Sequence, residues 1–478
     1  MADSYQGKAS MTEPTPDDPF LAGGFEPLRR EFDCPDLAVD GEMPDGLDGT
    51  YYRVGPNPQF APRPPYNPLM GDGMVHAFRI ADGRVSYRNR WVRTGRWLRE
   101  HAAGRALFAT AGPFGDDPEA GPRPGDGVAN TSLVWHAGRL LALEEGALPV
   151  EIDPETLETL GPHVFGGALG RNMTAHPKVD PATGALSLFA NLPRGRLTGE
   201  LALYEADAAG VLSPARMVQG PHASIVHDFA ITPNFAVFVV CPVTLSLERA
   251  QAGRPLIAWE PEAGVEVLAV PRAGGEPLRF ETAPCMVWHV MNAFEERGGI
   301  VLDLCEQDVA MFPTADGRPP DASRAAQRLA RWRLDPRRPG VVERRRLHDA
   351  VCEYPRIDER RTGLPYRYGY LAGLGGPGTG DLFQRGLSRF DHATGEVAVW
   401  DAGPTVAVSE PVFVARGPEE GDGWLLANTY DEVSGTGALV VLDASDVAAG
   451  PVARARLAHR MPMGFHGLWI SAASSRRR

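Results

Sequence analysis

Cysteine is scarce in this chain, and no two cysteines are closely spaced. The sequence of 478 residues contains five of them, with no Cys-x-x-Cys motif: Cys34, Cys241, Cys285, Cys305 and Cys352. An odd number of scattered cysteines is not typical of a disulfide framework or of a thiolate zinc site. Reduced thiols fit this pattern better, and we therefore expect a cytoplasmic protein.

Long apolar runs and extended basic blocks are also lacking. No apolar stretch approaches the roughly 20 residues of a membrane-spanning helix, and the N-terminus lacks the apolar core of a signal peptide. The net charge of −13 is spread along the chain. Because phosphate binding requires clustered lysine and arginine, we expect no nucleic acid partner.

Glycine and proline are abundant, with 54 and 44 residues respectively. They separate short strand patterns, for example at 139–144, 236–240 and 424–428. A strand followed by an Asp-containing turn recurs along the chain, and no linker interrupts it. A decayed repeat of this kind is typical of one large β-propeller.

The two ends of the chain differ from its middle. Residues 1–24 are polar and contain prolines, so we expect a flexible arm before a single domain at 25–470. Residues 471–478 end in three arginines, and we expect a disordered tail there. Residues 321–330 have the clearest helical periodicity and predict one short helix.

Four of the twelve histidines lie beside strand-like apolar segments and are spread over much of the chain: His176, His227, His289 and His466. A lone histidine in such a segment is more often a core residue than a ligand. In a propeller, however, residues from different blades can converge on the central axis. Four imidazoles suit Fe(II), Cu or Zn better than Mg or Ca, and on an octahedral metal they leave positions for O2 and substrate.

Three glutamates occupy apolar or turn contexts, at Glu145, Glu353 and Glu410. A buried carboxylate is costly unless it is paired. Metal-bound histidines usually have their second ring nitrogen oriented by such a group. We interpret the three carboxylates as partners of the histidines.

Seven short motifs in combination resemble the carotenoid cleavage oxygenases, a family that includes stilbene- and phenylpropene-cleaving enzymes. The resemblance covers about 25–470, and its motifs include Tyr-Arg-Val-Gly-Pro-Asn-Pro-Gln-Phe at 52–60 and Thr-Ala-His-Pro-Lys at 174–178. The others lie at 71–78, 227–232, 289–296, 409–414 and 465–467.

This resemblance implies an all-β fold, a seven-bladed β-propeller with short helices and loops capping one face. It also implies one non-haem Fe(II) per chain on the propeller axis, bound by His176, His227, His289 and His466. Glu145, Glu353 and Glu410 would orient the last three of these histidines and leave His176 without a carboxylate partner. Thr131 matches the position that hangs over one open iron site.

The implied activity is that of an oxidoreductase, a dioxygenase that splits a C=C bond with O2 into two carbonyl products. Its partners would be a small apolar alkene and O2, in a monomer or weak dimer. Relatives that cleave phenolic alkenes usually carry a lysine where this chain has Glu144, and a tyrosine near Ala111. Because a glutamate would repel a phenolate, we expect an apocarotenoid or carotenoid substrate.

Alternative substrates, functions and residue roles remain open at this point. Phenylpropenes or stilbenes, of the isoeugenol, 4-vinylguaiacol or resveratrol type, are the alternative substrates. A non-catalytic propeller that binds protein partners is the alternative from another class. Four aromatic residues are either walls of a substrate tunnel or propeller core: Phe60, Trp135, Trp288 and Phe294. Residues 242–259 form either an ordinary surface loop or one that meets a membrane.

Overall fold

The computed structural model describes residues 18–110, 115–195, 197–373 and 384–475. Ala111, near the position of the relatives' tyrosine, lies outside these ranges. So do residues 1–17 of the expected arm and 476–478 of the expected tail.

Antiparallel strands dominate and form seven blades, each built on four strands. In blades 2 to 6, consecutive strands pair in sequence order. Blade 2 contains Ser132–His136, Arg139–Leu143, Val150–Ile152 and Thr159–Pro162. Blade 3 contains Lys178–Val179, Leu186–Asn191, Glu200–Ala206 and Arg216–Gln219. Blade 4 contains Phe229–Ile231, Phe235–Val240, Val265–Pro271 and Leu278–Thr282.

Blades 5 and 6 follow the same plan. Blade 5 contains Met286–Glu296, Gly299–Gln307, Arg328–Leu334 and Gly340–Arg346. Blade 6 contains Cys352–Ile357, Tyr368–Gly373, Gly386–Asp391 and Val397–Asp401. One short parallel pairing, between Phe280 and Gly340, joins the outer strands of blades 4 and 5 into an eight-stranded sheet.

Blades 1 and 7 combine strands from both ends of the chain. Blade 1 contains Gly467–Ser471, Gly49–Pro56, Gly73–Ala81 and Arg84–Trp91, with Phe32–Cys34 at its outer edge. Blade 7 contains Val406–Val408, Val412–Ala415, Gly423–Asp431, Thr436–Asp443, Pro451–Arg456 and, at its edge, Ala38–Gly41. The last strand of the chain thus pairs with one of the first, which closes the ring.

Seven apolar clusters fill the seven contacts between neighbouring blades. Successive side chains of a strand point to opposite faces, so each strand contributes to two clusters. In Gly49–Pro56, for example, Tyr51 packs toward blade 7 and Tyr52 toward blade 2. A closed ring of seven interfaces confirms the predicted seven-bladed propeller.

Helices are short in the described residues. The α-helices are Gly95–Ala103, Leu247–Gln251 and Ala472–Ser475. The 3-10 helices are Pro19–Leu21, Gly23–Phe25, Pro68–Met70, Phe165–Gly167, Pro261–Ala263, Ala322–Arg324, Glu359–Arg361 and Val447–Ala449. None of the helices in the described part of the chain is long and apolar enough to cross a membrane.

The helix predicted over 321–330 is wrong beyond its first turn. Only Ala322–Arg324 is helical, and Arg328–Leu334 is a strand of blade 5. In that strand Trp332 and Leu334 are fully buried against blade 4. Burial of alternate side chains in the sheet therefore outweighs a weak helical pattern.

Residues 242–259 are more ordered than a simple loop. Val243–Leu245 pairs with Ile257–Trp259, and the helix Leu247–Gln251 lies between them. The buried Arg249 side chain donates hydrogen bonds to three backbone carbonyls of this segment and to Glu260. Leu247 is 56% exposed.

Both ends of the propeller are structured beyond 25–470. Pro19–Leu21 and Gly23–Phe25 are helical, and the Gly24 carbonyl accepts a hydrogen bond from Met463. At the other end, the helix Ala472–Ser475 follows the closing strand directly, and the Ala472 amide donates to the backbone carbonyl of Asp48. Contacts to the first and last blades thus order residues that their composition assigns to an arm and a tail.

The buried histidine His76 gives the fold a pH dependence. Its Nδ1 lies 2.8 Å from Tyr87 Oη, and burial lowers the pKa of His76 to about 3. The unfolded chain therefore binds a proton that the folded chain excludes. Stability contributed by this group is complete above about pH 6.5 and falls by about 1.4 kcal/mol per pH unit below it.

We expect the urea midpoint of unfolding to be lower at about pH 5.5 than at about pH 7.5. Tryptophan fluorescence measures this midpoint. In His76→Gln the difference between the two pH values should shrink, because the titrating group is gone. An unchanged difference in the variant would contradict this role of His76.

Candidate metal centre

The four histidines predicted as ligands converge at the inner ends of four blades. His176 precedes the first strand of blade 3, and His227 precedes that of blade 4. His289 lies within the first strand of blade 5, at a register shift. His466 directly precedes Gly467–Ser471, the strand that closes blade 1. The propeller therefore brings together residues that are far apart in sequence.

The ring nitrogens of these histidines face one another. One candidate ligand atom from each lies within 4.8 Å of the other three. His176 Nε2 is 3.0 Å from His227 Nε2, which is 3.2 Å from His289 Nε2.

Three carboxylates bind the opposite ring nitrogens. Glu145 Oε2 lies 2.5 Å from Nδ1 of His227. Glu353 Oε2 lies 2.7 Å from Nδ1 of His289. Glu410 Oε1 lies 2.9 Å from Nδ1 of His466. Among the described contacts of His176 there is no carboxylate, as the resemblance implies.

This arrangement determines where the lone pairs point. A neutral imidazole has one N–H donor and one acceptor nitrogen. Since each carboxylate accepts from an Nδ1–H, the Nε2 lone pairs of His227, His289 and His466 face the common centre. Several lone pairs so close together repel unless a cation lies between them, so the donor set fits a borderline divalent metal such as Fe(II).

Burial favours neutral rings at two of the positions. It lowers the pKa of His466 to about 4 despite Glu410. Burial and the three neighbouring imidazoles hold the pKa of His176 well below its usual value. At His289 burial also acts to lower the pKa, but Glu353 outweighs it and raises the pKa. A metal ion would displace the proton of that ring.

Aromatic rings fix the histidines from outside. The Trp288 ring meets the His227 ring edge-on, with centroids 5.1 Å apart. The Tyr354 ring lies 5.6 Å from that of His289 and 5.5 Å from that of His466. These contacts limit rotation of the imidazoles.

The predicted pocket residues have different environments. Thr131 is half-buried at the start of blade 2, and its hydroxyl donates to Asn130 Oδ1. Trp135 lines the cavity described below, Trp288 contacts His227, and Phe60 is half-buried.

The prediction of Phe294 as a tunnel wall is wrong, because its side chain belongs to the core. It is 5% exposed and belongs to the apolar cluster between blades 5 and 6, against Tyr366 and Leu371. It is not among the described residues that line the cavity. Its side chain leaves the inner strand toward the neighbouring blade, and it is therefore core.

A cavity of about 520 Å³ adjoins the histidines. Its lining includes His176, His289, His466 and Glu410, and it continues past charged side chains, at Lys178, Asp228, Arg356, Glu359 and Arg360. Lys178 Nζ is 2.7 Å from Asp228 Oδ1. A lining with so many charges suits water and ions better than an apolar alkene.

Sequence reasoning missed two groups at this site. Asp228 follows His227 and accepts the Val290 amide next to His289. Arg356 reaches Glu410 from the strand that carries Glu353. Both stand within three residues of a predicted site residue, and this proximity is the signal that could have found them.

The fold and the site together define a β-propeller metalloprotein with four axial histidines. The family model described as "Retinal pigment epithelial membrane protein" matches residues 25–471. Isoeugenol monooxygenase of Pseudomonas nitroreducens is 37% identical over 470 residues, which cover 95% of this chain and 98% of that protein.

Two solved structures have the same fold. The lignostilbene dioxygenase of Pseudomonas brassicacearum superposes with a TM-score of 0.91 at 36% identity, covering 96% of this chain and 100% of that one. Cobalt-substituted apocarotenoid oxygenase of Synechocystis superposes with a TM-score of 0.85 at 32% identity, covering 94% and 98%.

The chain belongs to this family, the carotenoid cleavage oxygenases. It is an alkene-cleaving oxygenase, and its four-histidine cluster is typical of the Fe(II) site of such enzymes.

Proposed function

We propose that this protein cleaves the side-chain double bond of a phenylpropene or a stilbene with O2 and releases an aromatic aldehyde. The observation that carries the proposal is the four-histidine centre, in a chain that matches an isoeugenol monooxygenase over nearly its whole length. Bound Fe(II) supplies the activation of O2. The polypeptide binds the metal, orients its ligands and selects the alkene.

His176, His227, His289 and His466 are the proposed iron ligands. Glu145, Glu353 and Glu410 accept the Nδ1–H of three of them and so fix the ring orientations. Their negative charges also offset the charge of a dication held by neutral ligands. Thr131 is proposed to restrict one open position on the metal.

We propose an aromatic substrate in place of the apocarotenoid that we expected from the sequence. Sequence identity is 37% and 36% to the isoeugenol and lignostilbene enzymes but 33% to the apocarotenoid oxygenase. The expectation depended on a negative charge at Glu144. In the structure Glu144 Oε2 accepts the Val128 amide at 2.8 Å, and burial raises the pKa of this carboxyl. A group closer to neutrality repels a phenolate less.

Apocarotenoid cleavage is the second candidate. Glu144 offers no cation to a phenolate, whereas a lysine at this position would. A neutral polyene does not need that cation, so this one position still favours it.

A substrate panel tests the proposal. Iron-loaded protein is incubated in air with isoeugenol, 4-vinylguaiacol, resveratrol and apocarotenals of retinoid length, and aldehydes are identified by mass. We expect turnover of phenolic alkenes and none under anaerobic conditions. Turnover of the apocarotenals alone would select the second candidate, and a failure to bind iron would contradict both.

Replacing Glu144 with glutamine tests its charge state directly. If the Glu144 carboxyl is neutral in the protein, this isosteric change keeps the acceptor for Val128 and removes no charge. We then expect kcat/KM for isoeugenol to stay within about twofold of the original enzyme. A large gain for phenolic substrates, absent for apocarotenals, would show that Glu144 is ionised and repels phenolates.

A further inference from the structure

Arg356 is a charged side chain beside the metal centre that the proposed function does not yet use. It lies on the first strand of blade 6, Cys352–Ile357. Its side chain is 18% exposed and lines the cavity next to the histidines.

A β-bulge orients the Arg356 side chain toward the metal centre. Along this strand Glu353 pairs with Ala372 and Arg356 pairs with Tyr370. The strand advances three residues while its partner advances two, and Tyr354 takes a positive φ of 53°. The extra residue puts Glu353 and Arg356 on the same side, where regular alternation would separate them. This one strand therefore carries both the carboxylate that binds His289 and the arginine that contacts Glu410, the partner of His466.

The guanidinium of Arg356 holds Glu410 and its surroundings. Arg356 Nη1 is 3.3 Å from Glu410 Oε2 and donates to the Gly467 carbonyl at 3.2 Å. Glu410 Oε2 also accepts the Gly467 amide at 2.7 Å, while Oε1 bonds His466. The other end of the guanidinium donates to Glu359. The carboxylate is thus fixed from three directions.

Glu410 differs in this respect from the other two carboxylates. Its side chain is 2% exposed, against 7% for Glu353 and 25% for Glu145. Within the described ranges, neither Glu353 nor Glu145 has a lysine or arginine as an ion-pair partner. The most buried carboxylate is therefore the one with an arginine, as expected if its charge must be compensated.

We propose that Arg356 is a positioning residue of the metal centre, which fixes the Glu410 carboxylate and through it the His466 imidazole. Without Arg356, Glu410 loses its counter-charge and one of its three anchors, and His466 is held less firmly. This inference rests on the four-histidine metal site of the proposed function.

The test measures metal binding rather than turnover. Co(II) affinity is determined by competition with a chelator, and the visible absorption of bound Co(II) reports the ligand geometry. We expect Arg356→Met to lower the affinity by about 10–100-fold and to change the spectrum. Arg356→Lys keeps the charge but not the forked geometry, and should recover part of the loss.

Arg360→Met is the matched control. Arg360 also lines the cavity and pairs with a carboxylate, but that carboxylate is Asp358. Its loss should leave Co(II) affinity and spectrum unchanged.

A double-mutant cycle separates positioning from general stability. If Arg356 acts through Glu410, Arg356→Met should cost little further affinity in protein that already carries Glu410→Gln. Additive losses, or an Arg356→Met protein that binds Co(II) like Arg360→Met, would overturn the inference. If Arg356→Met does not fold, the same comparisons with Arg356→Lys decide. Failure of the unaltered protein to bind Co(II) would contradict the proposed function instead.

Discussion

His289→Ala is expected to retain too little iron for measurable alkene cleavage. The change removes one of four converging ligands and leaves Glu353, 7% exposed, with the Tyr354 amide as its one remaining hydrogen-bond donor among the described contacts. The loss of affinity should exceed the roughly 10–100-fold that follows loss of an outer-shell partner. Leaving a buried carboxylate without its imidazole partner also destabilises the site.

Elemental analysis after anaerobic reconstitution with Fe(II) measures this effect. His101→Ala is the control, since His101 is an exposed histidine on the helix Gly95–Ala103. It should bind one iron per chain like the unaltered protein. Full iron content and activity in His289→Ala would contradict the role of His289 as a metal ligand.

Removal of residues 464–478 is expected to abolish metal binding and to open the ring of blades. Gly467–Ser471 pairs with Gly49–Pro56 along five residues of each strand. Ile470 is 3% exposed in the cluster between blades 1 and 2. Burial of one such side chain contributes about 1.5–3 kcal/mol, and the truncation also exposes the edge of Gly49–Pro56 to aggregation.

Thermal unfolding and size-exclusion chromatography test this expectation. Truncation after Ser475 is the matched control, because it leaves the closing strand and its helix intact. His466→Ala in the full chain separates the two effects, since it should lose iron but keep the ring closed. A truncated protein that elutes without aggregates and unfolds at the original temperature would contradict the role of this strand.

Much of the site could be predicted from local sequence. The four histidines stand beside apolar strand segments, and the three glutamates in contexts where an unpaired carboxylate is unfavourable. Short strands could be recognised because alternate burial leaves a period of two in the sequence. The motifs then implied which glutamate binds which histidine, and the structure has the same pairs.

Other features could not be predicted because they depend on long-range contacts. Phe294 has the sequence environment of a tunnel wall but packs between blades 5 and 6. The effect of Glu144 depends on its burial and on the Val128 amide. Arg356 approaches Glu410 only because a bulge shifts the register of its strand.

From the sequence alone we could therefore predict most of the strands, the four histidines of the metal centre and, through the family motifs, the class of chemistry. These are properties of residue type and local pattern. Long-range packing, in contrast, sets how the ring closes, which aromatic side chains are core and which arginine contacts Glu410. Such contacts join residues as distant as Glu145 and His227, 82 positions apart, or Arg356 and Gly467, 111 apart. Only the packing of blades around one axis brings them within hydrogen-bonding distance.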